Sequence, residues 1–186
     1  MTDTALLVLD LQRDFLEGNG RMPVGTGNAD RVIASANRLL QHAGNSGWKQ
    51  IAIKNEFRRT DWLGNLFRHG AAIAGSVGAE NDPRVHFPAN ITTLTKSMPD
   101  AFTNPALAEI LHGSGIRQLV ILGVMAEGCV RATVKSAIGR GFTVTVVADG
   151  VASTRKFLHG FGLKSMQKAG GLVKMCDEIV MTPDSA

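Results

Sequence analysis

The chain predicts an α/β protein, a doubly wound and mostly parallel sheet with helices on both faces. Three observations carry that expectation. Short apolar runs alternate along the chain with longer segments whose apolar residues recur at helical spacing, the pattern of repeated strand–helix–strand units. The runs are apolar almost throughout, as in LVILG (119–123), and strands covered on both faces read that way. The 186 residues, 44% of them hydrophobic, suffice for one complete core without metal or disulfide staples.

The elements follow in order. ALLVLD (5–10) reads as a first strand ending in an acid. NADRVIASANRLLQHAGNSG (28–47) carries apolar residues at helical spacing and stops in Gly-rich turn chemistry. KQIAIKNEF (49–57) and TTLTKSM (92–98) are the next two strands. NPALAEILHGSG (104–115) reads as a helix with Asn104 as its N-cap and Pro105 at its first position, where a missing N–H is no loss. QLVILG (118–123) is a strand, a helix follows Cys129, and FTVTVVAD (142–149) is another strand. A helix covers about 154–169, and LVKMCDEI (172–179) holds the last strand. Residues 56–91, rich in Arg, Gly, Asn and Pro, break the alternation. Loops that long commonly serve as lids or partner contacts. No repeat, low-complexity tract or linker divides the chain, so a single domain over 1–186 is expected.

Composition narrows the function. The net charge is +4, with no basic run longer than two residues, which argues against a nucleic-acid partner. No stretch has the length of a membrane span, and MTDTALLVLD lacks the basic start and long apolar run of a signal peptide. Two cysteines in a chain of this size suit a reducing compartment, so a soluble cytoplasmic protein is expected. A G-x-G-x-x-G turn after a strand and a G-x-S-x-G elbow are both absent. The acid pair D-x-D that would suit a phosphatase is broken by Gln12.

In an open parallel sheet, ligands bind outside the carboxyl ends of the strands. Asp10 closes the first strand, Lys96 closes TTLTK, and Cys129 follows LVILG in GVMAEGCV (123–130). A lone cysteine at a strand-to-helix handover is either a small core residue or a nucleophile. Cys176 lacks such a context and reads as core.

Three segments carry a family resemblance: LLVLDLQRDF (6–15), TKSMPDAF (95–102) and GVMAEGCVRATVKSAIGRGFTVTVVADGVAS (123–153). In content and order they resemble the isochorismatase-like cysteine hydrolases, the superfamily that includes nicotinamidases and N-carbamoylsarcosine amidohydrolase. The resemblance implies a catalytic triad of Asp10, Lys96 and Cys129. It also implies a cis peptide between Val124 and Met125, with the Met125 and Cys129 backbone N–H groups forming an oxyanion hole. Phe15, in the opening motif, then lines the substrate pocket or packs in the core. Trp62 offers an aromatic wall to this pocket or to a neighbouring subunit's, or simply packs within the excursion. Family practice implies a homodimer or homotetramer and no cofactor.

The departures are as informative. Nicotinamidases of the superfamily bind a metal through a D-x-H-type cluster, whereas here Asp61 is followed by Trp62 and Leu63, and His69 stands alone. No metal is therefore expected. Ala126 replaces a common Thr, Asp100 a frequent Ser, and Glu127 keeps a position that is often acidic.

The chemistry expected of the triad is physical. A thiol of ordinary pKa, near 8.5, is mostly protonated at neutral pH. A helix N-terminus and the Lys96 ammonium are both expected to lower that of Cys129. Asp10 would take the thiol proton and return it to a leaving amine, through a thioester, as a C–N bond of a small amide, ureide or related compound is cleaved. The rivals are a vinyl-ether hydrolase of the isochorismatase type and a non-catalytic interaction protein that retains the fold.

Overall fold

The computed structural model describes residues 2–181. Six strands, β1 (Thr4–Leu9), β2 (Lys49–Asn55), β3 (Thr92–Lys96), β4 (Gln118–Val124), β5 (Thr143–Ala152) and β6 (Leu172–Lys174), form one sheet in the order β3-β2-β1-β4-β5-β6. Every neighbouring pair is parallel. The chain thus starts at the centre, winds outward to β3, returns beside β1 as β4 and winds outward again. That is the doubly wound architecture expected from the alternation.

The helices α1 (Arg13–Leu16), α2 (Thr26–Asn45), α3 (Trp62–Phe67), α4 (Pro105–Gly113), α5 (Arg131–Gly139), α6 (Lys156–Lys168) and α7 (Cys176–Val180) complete the elements. Two cores result, one on each side of the sheet. Leu6 and Val8 of β1 face Val32, Ala36, Leu39 and Ala43 of α2, whose 3.6-residue spacing makes the apolar stripe. Leu7 and Leu9 face the other way, with Leu107 and Leu111 of α4 and Val134 and Ala137 of α5. The alternating direction of strand side chains therefore splits one apolar run between two layers. Asn104 caps α4 as expected, its Oδ1 accepting from the Ala106 N–H at 3.1 Å, with Pro105 opening the helix.

The last expected strand needs correction. LVKMCDEI (172–179) is strand only over Leu172–Lys174; the chain then turns into α7. Cys176 and Ile179 are buried three residues apart, a helical spacing hidden inside the apolar run. The Asp149 carboxylate accepts from the Cys176 N–H at 2.8 Å and fixes the start of that helix.

The 56–91 excursion is loop, with the six-residue α3 set in it. Asp14, buried on α1, anchors it by accepting from the Ala72 N–H at 2.8 Å. One glycine matters to the sheet. Gly123 has φ 133°, and a Cβ there would stand 2.0 Å from the Leu9 carbonyl oxygen of β1. Only glycine lets β1 and β4 approach so closely where the site begins.

Candidate active site

The strand order reverses between β1 and β4. The helix after β1 packs on one face and the helix after β4 on the other, which opens a crevice at their carboxyl ends. Four reactive or polar residues meet there. Asp10 follows β1, Asn55 ends β2, Lys96 ends β3, and Cys129 lies in the wide turn Ala126–Val130 between β4 and α5. Asn55 and Lys96 are register partners across β2 and β3. Asp10 has φ 58°, a left-handed conformation that Asp tolerates better than most residues. Its N–H donates to the Ile53 carbonyl at 2.8 Å, which pins it against β2. The Val124–Met125 peptide bond is cis.

The side chains are tightly bonded. Lys96 Nζ donates to Asp10 Oδ2 at 2.9 Å and to Asn55 Oδ1 at 2.7 Å. Both members of the Lys96–Asp10 pair are almost wholly buried. Asn55 Nδ2 in turn donates to Cys129 Sγ at 3.5 Å. Gln12 grips Asn55 from behind: its Oε1 accepts from the Asn55 N–H at 2.9 Å, and its Nε2 donates to the carbonyls of Asn55 and Ala79, each at 2.8 Å. The second carboxylate oxygen, Asp10 Oδ1, is buried with no hydrogen-bond partner among the described residues. Cys129 is among the groups that act on Asp10.

The electrostatics of this cluster differ from expectation in one respect. Burial raises the Asp10 carboxyl above its ordinary value, and Lys96 only partly offsets it. For Lys96, burial works to lower the pKa, but the Asp10 carboxylate and Cys129 outweigh it and the ammonium is favoured. The Cys129 thiol is not lowered. Enclosure and the nearby Asp10 carboxylate outweigh Lys96 and Asn55 and push it up to about 11. At neutral pH the resting sulfur is therefore a protonated thiol, because the site already holds one negative charge in a poorly solvated space.

Of the cluster, Cys129 and Asn55 line a pocket of about 370 Å³, with an apolar lining that includes Phe15, Met22, Phe57, Met98, Val124 and Met125. Cys129, Asn55, Glu127, Asp61 and Arg68 contribute its polar surface. Phe15 is thus both buried and pocket-lining. Arg68 lies over the Phe57 ring at 3.8 Å and pairs with Asp61 at 2.6 Å. Glu127 accepts a hydrogen bond from the buried Ser153 hydroxyl. Trp62 is 74% exposed on α3 and is not among the residues that line its own chain's pocket. The reason is that α3 buries none of its residues and is held through Asp61, which caps it, and Arg68.

The departures also find their places. Ala126 is completely buried, and a Cβ on Gly162 of α6 would meet its carbonyl at 2.7 Å, so α6 backs directly onto the Ala126–Val130 turn. Asp100 caps the short turn Ala101–Thr103 by accepting from the Phe102 N–H at 2.9 Å. Asn55 went unnoticed in the sequence. The strand-end rule that singles out Asp10 and Lys96 applies equally to the last residue of KQIAIKN.

Fold and site together define a doubly wound α/β protein whose crevice at the switch point holds a cysteine beside a buried acid–base pair. An isochorismatase domain matches residues 4–177, and the chain belongs to the isochorismatase family. It is 33% identical over 153 residues to an uncharacterized isochorismatase family protein of Bacillus subtilis, covering 81% of this chain and 78% of that protein. It is 30% identical over 178 residues, 90% of each chain, to a probable inactive nicotinamidase of Arabidopsis thaliana. The pyrazinamidase of Pyrococcus horikoshii, solved in complex with zinc, superposes with a TM-score of 0.83 at 28% identity, covering 94% of this chain and 99% of that one. The residues of this chain do not fit such an ion: among the described residues no group of three or more His, Cys, Asp or Glu side chains could hold a metal. Asp61 is engaged by Arg68, and His69 is exposed.

Proposed function

We propose that the protein is a cysteine hydrolase that cleaves a C–N bond of a small amide, ureide or related compound. The observation that supports this reading is the hydrogen-bonded chain from Asp10 through Lys96 and Asn55 to Cys129, whose sulfur end lines the pocket. Asp10 Oδ1 is the general base: it is buried, unpartnered and beside the thiol. Its raised pKa makes it a stronger base than an ordinary carboxylate, and Lys96 keeps the pair charged and in place.

The thiol gives up its proton as substrate arrives. Sγ bonds to the substrate carbonyl carbon while the S–H proton passes to Asp10 Oδ1. The oxygen takes up negative charge, held by the Met125 and Cys129 backbone N–H groups. When the C–N bond breaks, Asp10 returns the proton to the leaving nitrogen, and a Cys129 thioester remains. Water then adds to the thioester carbonyl, its proton passing to Asp10. The carboxylic acid departs, and the sulfur is reprotonated from Asp10. Lys96 stays an ammonium throughout.

A second reading, a non-catalytic protein on the same fold, draws support from the thiol held at about 11 and from the relative described as probably inactive. A panel of small amides and ureides, with release of the amine measured for the wild type and for Cys129→Ala, separates the two. The proposal expects turnover by the wild type alone, with an acyl adduct on Cys129 in quenched mass spectra. Equal rates for both proteins would favour the non-catalytic reading.

We also propose a homodimer or homotetramer in the cytoplasm. Trp62, Leu63, Leu66 and Phe67 of α3 are all exposed, and both cysteines are unpaired. Light scattering should give a multiple of the 19.8 kDa chain mass that falls in Trp62→Ser/Phe67→Ser. A monomeric wild type would rule the assembly out.

A further inference from the structure

We propose that Asn55 is a fourth catalytic group, which holds the sulfur as its negative charge develops and carries the influence of Lys96 to it. The inference rests on the cysteine-hydrolase reading of the site. Its basis is the polarity of the bonds. Lys96 can only donate, so the Asn55 atom facing it at 2.7 Å must be the carbonyl oxygen. The amide nitrogen is then turned to Cys129 Sγ, at 3.5 Å. An amide N–H donates and cannot accept, so it meets a lone pair of the sulfur and leaves the S–H for Asp10 Oδ1, the buried oxygen without another partner.

The four side chains therefore close a ring in one sense. Lys96 donates to Asp10 and to Asn55, Asn55 donates to Cys129, and the thiol faces Asp10. When the proton crosses to Asp10, the Asn55 N–H remains on a sulfur that is now a thiolate, and the bond strengthens as charge assists it.

The ring is rigid. Asn55 is 2% exposed, and its backbone N–H and carbonyl are both held by Gln12, whose own side chain is completely buried. The amide is therefore not available for turning or for general polar duty at the surface. Its place at the end of a central strand orders the sulfur before substrate enters, and no reorganisation is needed when charge develops.

The test reads the thiol directly. Alkylation of Cys129 by iodoacetamide is followed by mass spectrometry from pH 7 to 10, where the rate tracks the small thiolate fraction. Asn55→Leu keeps the branched shape and removes the donor; Asn55→Ala removes both. The expected result is a rate about tenfold or more below wild type at each pH, in variants whose circular dichroism and melting show a folded protein. A folded variant with an unchanged alkylation curve overturns the proposal, since a purely structural amide would alter melting and leave the curve alone.

If neither variant folds, the native protein gives the answer. In ¹⁵N-labelled wild type, the Asn55 side-chain amide protons should shift when Cys129 is alkylated; no shift overturns the proposal. Failure of the functional reading looks different. There, wild type and Cys129→Ala process amides equally, whatever the alkylation curves show.

Discussion

Lys96→Met is the most informative single change to the fold. The Lys96 and Asp10 side chains are 0% and 1% exposed and meet at 2.9 Å. Met has nearly the same length and volume but cannot donate, so Asp10 keeps its burial and loses its cation. Breaking one partner of a buried pair typically costs about 3–5 kcal/mol, because the other charge is left uncompensated. For a domain of this size that corresponds to a melting temperature lower by roughly 6–20 °C. The deficit carries a pH signature. Burial already raises Asp10 in the wild type, and without Lys96 nothing of comparable size opposes it. A carboxyl whose folded pKa exceeds its unfolded value, about 3.9, favours folding fully below that value. The advantage is lost as pH rises through the folded pKa. The variant should therefore lose most at pH 7 and approach wild type as the medium is acidified. Urea unfolding of both proteins from pH 4.5 to 8 measures this. Asp10→Leu/Lys96→Met, which removes both charges, should recover much of the loss. A deficit under about 1 kcal/mol, or one that does not change with pH, would refute the view that an isolated buried carboxylate is what Lys96 prevents.

Other outcomes follow from the same geometry. Gln12→Leu removes three hydrogen bonds of 2.8–2.9 Å from a completely buried site, and denaturant melts should show a loss of about 3 kcal/mol or more. Gly162→Ala adds a methyl 2.7 Å from the Ala126 backbone; it should cost about 1–3 kcal/mol and lower the proposed amide turnover, because the Ala126–Val130 turn that carries Cys129 has to move. Turnover equal to wild type would show that α6 gives way instead. Cys176 is completely buried, so it should resist alkylation in the native protein and react only on unfolding, while Cys176→Ala keeps full activity.

Much of this was legible in the residues. Apolar runs such as LLVL and LVILG matched strands covered on both faces, and β1 and β4 lie side by side inside the sheet. Helical spacing located α2 and α6 to within two residues, and the Asn104–Pro105 pair marked the start of α4. The strand-end rule and the motif segments named Asp10, Lys96 and Cys129, because local sequence fixes where a strand stops and a turn begins. The resemblance left both Phe15 and Trp62 open; Phe15 is buried and lines the pocket, whereas Trp62 is exposed on α3.

Tertiary structure decided the rest. That LVKMCDEI divides into β6 and α7 depends on Asp149, a carboxylate 27 positions earlier, reaching the Cys176 N–H. The strand-end rule could have marked Asn55 as a candidate, but that it bridges Lys96 and Cys129 depends on β2 lying between β1 and β3. The state of the Cys129 thiol depends on the same kind of fact. From the sequence, a helix start and a lysine pointed to a lowered pKa; in three dimensions enclosure and the Asp10 carboxylate raise it to about 11. The sequence determined which groups are present and where each strand ends. Desolvation and charge–charge distances are properties of chain segments far apart in sequence, and only the folded protein sets them.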